Sequence, residues 1–161
     1  DPDWNRFTAH FDDGGRIDMN DPRRLGGVEL EPDLTKLGPD AWSVGVHELR
    51  SIFGRYKVAT KALLLNQKRI AGLGNLLVDE LLWRAGVSPL RPANEVDEDA
   101  IVALGEKLTP MLDELYARGG SNCGDHFAER HNNGRCPKDA SEMSHETVGG
   151  RSTWWCRAHQ V

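Results

Sequence analysis

The stretch from residue 57 to residue 89 decides the fold, and it reads KVATKALLLNQKRIAGLGNLLVDELLWRAGVSP. Apolar residues at helical spacing precede and follow a short link, AGLGN, at residues 71–75. Glycine lets a backbone approach a ligand closely, and a helix N-terminus exposes unpaired N–H groups with a partial positive charge. Asn75 is a candidate N-cap whose side-chain amide adds a further donor. The link therefore predicts a phosphate site, with an ordinary tight turn between helices as the alternative.

The charge of the chain is distributed unevenly along its 161 residues. The formal net charge is −5, which taken alone argues against a nucleic-acid partner. Residues 55–91, however, carry seven basic and two acidic side chains, whereas residues 92–129 carry two basic and nine acidic ones. Fields of exposed charges fade over a Debye length of roughly 10 Å. A positive face can therefore exist on a negative protein, and nucleic-acid binding is compatible with this composition.

The patterns on either side of the central stretch indicate a mainly α protein with a short β N-terminal part. Alternating residues at 7–11 and 16–19 predict a hairpin, and residues 28–30 predict a following strand. Helical spacing runs from residue 46 to a stop at Gly54. A long amphipathic helix is expected from Asp97 to the Gly119-Gly120 pair, and Pro110 predicts a kink or a break within it.

The C-terminal tail has the ligand spacing of a zinc knuckle pair. Cys136 and Asp139 are separated by two residues, and so are Cys156 and His159 after a further 16 residues. A two-residue spacer allows two donors from one turn to meet a tetrahedral ion. We expect these four side chains to bind one zinc ion, with His145 as a substitute for Asp139. The alternative is a tail that binds no metal.

The central stretch closely resembles the helix–two-turn–helix of the formamidopyrimidine/endonuclease VIII family of DNA glycosylases. The resemblance implies that Asn75, with Gly74 before it, grips a DNA phosphate beside the lesion, and that Lys61 faces the DNA. It also covers the tail, where GRSTWWC at residues 150–156 resembles the strand of a four-cysteine zinc finger. There it implies that Arg151 reaches the same phosphate region as Asn75. Glu80 is interpreted as structural rather than catalytic.

The turn DPRRLG at residues 21–26 resembles a loop of the same family whose first arginine, here Arg23, enters the duplex when a damaged base is flipped out. A turn with solvent-exposed arginines is the alternative interpretation. The family's chemistry uses an N-terminal Pro-Glu pair in a β-sandwich, and only 20 residues precede Asp21. The resemblance therefore implies that the catalytic segment is lacking, and no catalytic residue is assigned.

The sequence thus predicts three parts: remnant sandwich strands at 1–35, a helix–two-turn–helix DNA-binding domain at 36–120, and a loop with a zinc-finger β-hairpin at 121–161. The expected partner is double-stranded DNA, damaged or abasic, in a base-excision repair context. No apolar run spans a membrane, and three cysteines favour a cytoplasmic, nucleoid-associated protein of undetermined oligomeric state. Two alternatives are an active glycosylase/AP lyase, as a fragment or with a catalytic partner, and an RNA- or ribosome-binding module.

Overall fold

A computed structural model describes residues 2–161, which form two compact units: one up to Leu34 and one from Thr35 to Val161. The first unit contains a two-stranded antiparallel hairpin of β1 (Asn5–His10) and β2 (Arg16–Asn20). The third strand predicted at residues 28–30 does not form. No other strand of the described residues lies beside this segment, so its backbone has no ladder to join.

The second unit contains four α-helices followed by a hairpin. The helices are α1 (Val46–Phe53), α2 (Thr60–Leu64), α3 (Asn75–Ala85) and α4 (Glu98–Ala117), and the hairpin strands are β3 (Met143–Val148) and β4 (Arg151–Cys156). The mainly helical character and the C-terminal hairpin were both predicted. Helix α4 runs without a break through Pro110, where the sequence predicted a kink or a break.

The helices enclose one apolar core. Its members come from all four helices and from the links between them, and the largest fully buried side chains include Leu49, Phe53, Leu64, Leu81, Leu104 and Leu108. Burying a leucine or phenylalanine contributes about 1.5–3 kcal/mol. Gly86 ends α3 in the left-handed conformation, at φ 76°. The core therefore holds α2 and α3 in a fixed geometry around the glycine link.

A second, smaller apolar cluster lies beneath the hairpin. It consists of Trp83 from α3 together with Cys136, Met143 and Cys156. Four buried side chains are few for a stable hairpin, because isolated hairpins are marginal in water. This part of the fold therefore depends on polar contacts as well as on the small cluster.

Within residues 2–161, none of the helices combines the length and the apolar content that a bilayer crossing requires.

Candidate nucleic-acid interface and metal centre

The glycine link places the N-terminus of α3 at the surface. Gly74 is the N-cap residue and Asn75 is the first helical residue, so the expected N-cap role of Asn75 is wrong by one position. Among the described residues no side chain caps this helix end. Gly74 has φ −96°, which any residue can adopt, and an added Cβ would meet nothing within 4 Å. The free N–H groups of the first turn therefore face an open space that an anion can enter.

Gln67 holds the link in place, and the sequence patterns did not single it out. Its side-chain oxygen accepts a hydrogen bond from the backbone N–H of Gly72 at 2.9 Å, and its amide nitrogen donates to the carbonyl of Leu73 at 2.9 Å. Gly72 itself has φ 96°, a conformation that side chains with a Cβ rarely adopt. The link is thus shaped by one glutamine and one obligatory glycine.

Asn75 and Arg151 line the same surface depression. The depression has a volume of about 570 Å³, and its lining also includes Gln67, Gly72, Gly74 and Gly149. The side-chain nitrogen of Asn75 donates to the carbonyl of Ser152 at 3.1 Å, so α3 is bonded directly to β4. Arg151 is exposed, and its guanidinium forms no ion pair with another residue in the range 2–161. Two of the predicted phosphate contacts therefore converge on one place.

Lys61 lies in the interior rather than on the surface. Its side chain is 0% exposed and its ammonium lies 2.7 Å from Asp79 Oδ1. The ammonium also donates to Thr153 Oγ1 at 2.7 Å and to the carbonyl of Ser152 at 3.1 Å. Burial lowers the pKa of Lys61, while the adjacent Asp79 carboxylate raises it. The expectation of a DNA-facing Lys61 is therefore corrected, because its ammonium lies in the interior against oxygens of Asp79, Ser152 and Thr153.

Arg23 belongs to the first unit and is exposed in the turn of residues 21–26. The carboxylate of Asp21 accepts the backbone N–H of Gly26 at 2.6 Å, which closes the turn. This bond is the main reason why the pKa of Asp21 is lowered. Arg24 adopts φ 55°, and the side chain of Leu25 is 71% exposed. The turn therefore presents two arginines and one apolar side chain to solvent.

The four predicted metal ligands come together. The candidate ligand atoms of Cys136, Asp139, Cys156 and His159 all lie within 4.8 Å of one another. Cys136 Sγ is 3.5 Å from His159 Nδ1, and Cys156 Sγ is 3.3 Å from Asp139 Oδ2. Ligands at about 2.0–2.3 Å from a tetrahedral zinc ion are separated by such distances. The residues therefore fit a single zinc ion.

Contacts around the cluster orient its members. His159 directs Nδ1 toward the cluster, and its Nε2 lies 3.2 Å from the carbonyl of Trp83. A metal-binding histidine usually donates its other ring N–H to such an acceptor. The indole N–H of Trp83 donates to Cys136 Sγ at 3.4 Å. Hydrogen bonds from Ser141 hold the pKa of Asp139 well below its usual range, so this side chain is a carboxylate anion.

His145 does not belong to the cluster. It lies on β3, where its ring stacks on Trp154 at a centroid distance of 4.3 Å. Its Nε2 lies 2.8 Å from the hydroxyl of Ser152. Asp139 therefore occupies the position for which His145 was the alternative.

A buried polar group joins α3 to the segment that follows α4. Glu80 and His126 are each 1% exposed, and Glu80 Oε2 lies 2.7 Å from His126 Nδ1. Arg84 donates to the other carboxylate oxygen at 2.7 Å. Burial raises the pKa of Glu80, but the hydrogen bonds from His126 and Arg84 outweigh it and lower the pKa to about 2. The predicted structural role of Glu80 agrees with these contacts.

Comparison with known proteins places the chain in a family. The family described as formamidopyrimidine-DNA glycosylase H2TH domain matches residues 37–126. A formamidopyrimidine-DNA glycosylase of Paracoccus denitrificans is 40% identical over 131 residues, which cover 76% of this chain and 44% of the relative. The chain therefore belongs to the formamidopyrimidine-DNA glycosylase family, as the central stretch predicted. It spans about half the length of the first curated relatives that it matches.

Solved structures of the family agree with the fold. The MutM (Fpg) protein of Thermus thermophilus superposes with a TM-score of 0.74 at 29% identity, over 91% of this chain and 65% of that one. The Lactococcus lactis Fpg (MutM) protein, in a complex with FAPY-dG-containing DNA, superposes with a TM-score of 0.68 at 27% identity. This match covers 78% of the present chain and 51% of the other.

Proposed function

We propose that this chain binds double-stranded DNA by gripping one backbone phosphate between the N-terminus of α3 and the first residue of β4. The observation that carries the proposal is the shared depression lined by Gly74, Asn75 and Arg151. Asn75 supplies an amide N–H, Arg151 supplies a guanidinium, and the uncapped helix end supplies backbone N–H groups. This combination of donors and positive charge is what a phosphate diester requires.

The family relationship supports DNA as the partner. The Lactococcus lactis relative was solved with FAPY-dG-containing DNA, so this fold accommodates DNA in that protein. The overall charge of −5 does not oppose the proposal, because the basic residues are concentrated between positions 55 and 91. We further propose that Arg23 contacts DNA from its turn, and that damaged or abasic duplex is the preferred ligand. We assign no catalytic residue within residues 2–161.

We also propose that Cys136, Asp139, Cys156 and His159 bind one zinc ion. When bound, the ion would supply a structural cross-link between the knuckle after residue 135 and the end of β4. The hairpin would thereby hold Arg151 in place, because β4 begins at Arg151 and ends at Cys156. Zinc thus contributes to DNA binding through the position of the arginine, without touching the DNA.

The test is a binding measurement with a fluorescently labelled duplex of about 20 base pairs, titrated over a range of salt concentrations. We expect Asn75→Ala to weaken binding roughly tenfold without changing the salt dependence, because the amide carries no charge. Arg151→Ala should weaken binding and reduce the slope of log K against log salt by about 0.9. Asn94→Ala and Arg50→Ala, at exposed positions outside the depression, are the matched controls. Unchanged affinity in both depression variants at low salt would overturn the proposal.

The ligand class and the chemistry are settled by two further measurements. Competition with abasic duplex, undamaged duplex and structured RNA ranks the ligands by affinity. A preference for RNA would replace the proposed DNA-binding function by that of an RNA- or ribosome-binding module. Borohydride trapping on abasic DNA tests the alternative proposal of an active glycosylase/AP lyase; the relatives' name carries the glycosylase activity. A trapped covalent adduct would show an amine nucleophile in this chain and would extend the proposal from binding to catalysis.

A further inference from the structure

The interior of the helical unit contains a charged network that no part of the proposed phosphate grip uses directly. Lys61 and Asp79 are 0% and 1% exposed, and Arg130, 9% exposed, forms an ion pair with the same carboxylate. Removing one member of a buried ion pair leaves an uncompensated charge in a low dielectric, so such groups persist only where their geometry is well satisfied. The position of the Lys61 ammonium is therefore fixed closely by its surroundings.

The ammonium of Lys61 contacts the first residues of β4. It donates to the carbonyl of Ser152 at 3.1 Å, and the side-chain amide of Asn75 donates to this same carbonyl, also at 3.1 Å. It also donates to Thr153 Oγ1 at 2.7 Å, and this hydroxyl donates in turn to the carbonyl of Arg151 at 3.0 Å. One buried charge thus contacts the backbone at the beginning of β4 by two routes.

The amide nitrogen of Asn75 has two hydrogens, and the Ser152 carbonyl accepts one of them. The second hydrogen remains for a ligand in the depression. The direction in which it points depends on the position of the Ser152 carbonyl, because a side-chain amide is planar. A shift of the Ser152 carbonyl would therefore also turn the Asn75 N–H that is proposed to meet the phosphate. The Lys61 ammonium donates to the same carbonyl and so fixes its position.

We infer that Lys61 is a positioning residue that orients Asn75 and Arg151 for the phosphate; the inference rests on the proposed DNA binding. Asp79 is its counter-ion, and the hydroxyl of Thr153 connects it to the carbonyl of Arg151. Lys61 itself never touches DNA. Preorganisation of this kind raises affinity because the donors are already aligned before the ligand arrives. Affinity should therefore depend on buried residues that have no access to the ligand.

The experiment uses Thr153, which is 0% exposed, because changing it alters no charge. Thr153→Val keeps the shape and removes the hydroxyl that connects Lys61 to the carbonyl of Arg151. We expect a loss of duplex affinity of roughly tenfold, whereas the matched Thr153→Ser variant, which keeps the hydroxyl, stays within about twofold of the original chain. In the Arg151→Ala background, the loss of duplex affinity caused by Thr153→Val should fall below about threefold, because the guanidinium that Thr153 helps to position is absent.

A second variant tests the lysine itself. Lys61→Met together with Asp79→Asn removes the buried ammonium and the buried carboxylate together. Arg130 then loses its ion pair with Asp79, so thermal unfolding followed by circular dichroism verifies the fold. In the Arg151→Ala background, this double change should leave the slope of log K against log salt unchanged. A fall of about 0.9 would show that Lys61 contacts a phosphate and would overturn the inference. Should the double variant not fold, the two Thr153 variants decide alone.

The possible failures are distinguishable. If Asn75→Ala and Arg151→Ala leave affinity unchanged, the proposed DNA grip is wrong whatever the interior does. If these two variants weaken binding but Thr153→Val binds as well as Thr153→Ser, the grip stands and the positioning role of Lys61 is wrong. Equal losses from Thr153→Val with and without Arg151 would also refute that role, because they would indicate general destabilisation.

Discussion

The side-chain nitrogen of Asn75 lies 3.1 Å from the carbonyl oxygen of Ser152, which joins residues that are 77 positions apart in the chain. This bond connects the first turn of α3 to the residue after Arg151. The glycine link and the hairpin strand are separate in sequence, and this bond holds them side by side in one surface. The position of either motif therefore matters to the other.

Gly74→Ala should weaken duplex binding while reducing stability only modestly. The glycine has a negative φ, and an added Cβ would meet no atom of the protein within 4 Å. The methyl group would therefore occupy only the space that a phosphate needs. We expect a loss of affinity of about tenfold, measured by anisotropy, and a cost in unfolding free energy of no more than about 1 kcal/mol, because alanine is a poorer N-cap than glycine. Unchanged affinity would show that no ligand backbone comes close to this residue.

Gly105→Ala should destabilise the fold even though alanine is the better helix former. Gly105 lies within α4, and an added Cβ would be 2.9 Å from both Cα and N of Val46, which are backbone atoms that α1 cannot easily move. Alanine gains about 1 kcal/mol in helix propensity, and overpacking costs about 1–3 kcal/mol. Urea unfolding should therefore show a lower midpoint. A rise in stability would mean that α1 and α4 can separate without penalty.

Glu80→Gln should reduce stability most at neutral pH. The folded pKa of Glu80 is about 2, below its usual value of 4.5. The carboxylate therefore contributes stability above pH 4.5, and this contribution is lost as the pH falls toward 2. We expect Glu80→Gln to cost about 3 kcal/mol near pH 6, and the gap to the original chain to narrow on acidification.

Urea unfolding of both chains at several pH values measures this gap. Glu106→Gln, at an exposed position on α4, is the control and should show no such dependence. A gap that is constant from pH 6 to pH 3 would contradict an ionised Glu80 in the folded state.

Cys136→Ser should remove the bound zinc and loosen the hairpin without unfolding the helices. The metal ligands lie beside the small cluster around Trp83, whereas the helical core is a separate cluster. Metal analysis should give about one zinc per chain before the change and none after it. Helical circular dichroism should persist, and hydrogen exchange should accelerate at residues 143–156. Cys123→Ser, outside the ligand cluster, should retain the metal; its loss there would contradict the assigned ligand set.

Much of this architecture could be predicted from local patterns. The helical spacing on both sides of residues 71–75 and the paired two-residue spacers of the tail depend on contacts between near neighbours. The position of Lys61 could not be predicted in this way. Its burial depends on Asp79, Thr153 and Arg130, and a lysine side chain has the same local pattern whether it faces solvent or a buried carboxylate. The strand expected at residues 28–30 failed for a similar reason, because strand formation requires a pairing partner.

The buried ammonium–carboxylate pair constrains how this protein can diverge. A substitution at position 79 alone leaves the buried ammonium of Lys61 without a counter-ion and should give a poorly folded intermediate, whereas a substitution at position 61 alone leaves Asp79 with Arg130. Arg130 lowers the cost in stability only for a substitution at position 61, because it can still neutralise Asp79. Descendant sequences should consequently lose the lysine before the aspartate, and lineages that retain Asp79 without Lys61 should keep a cation at position 130.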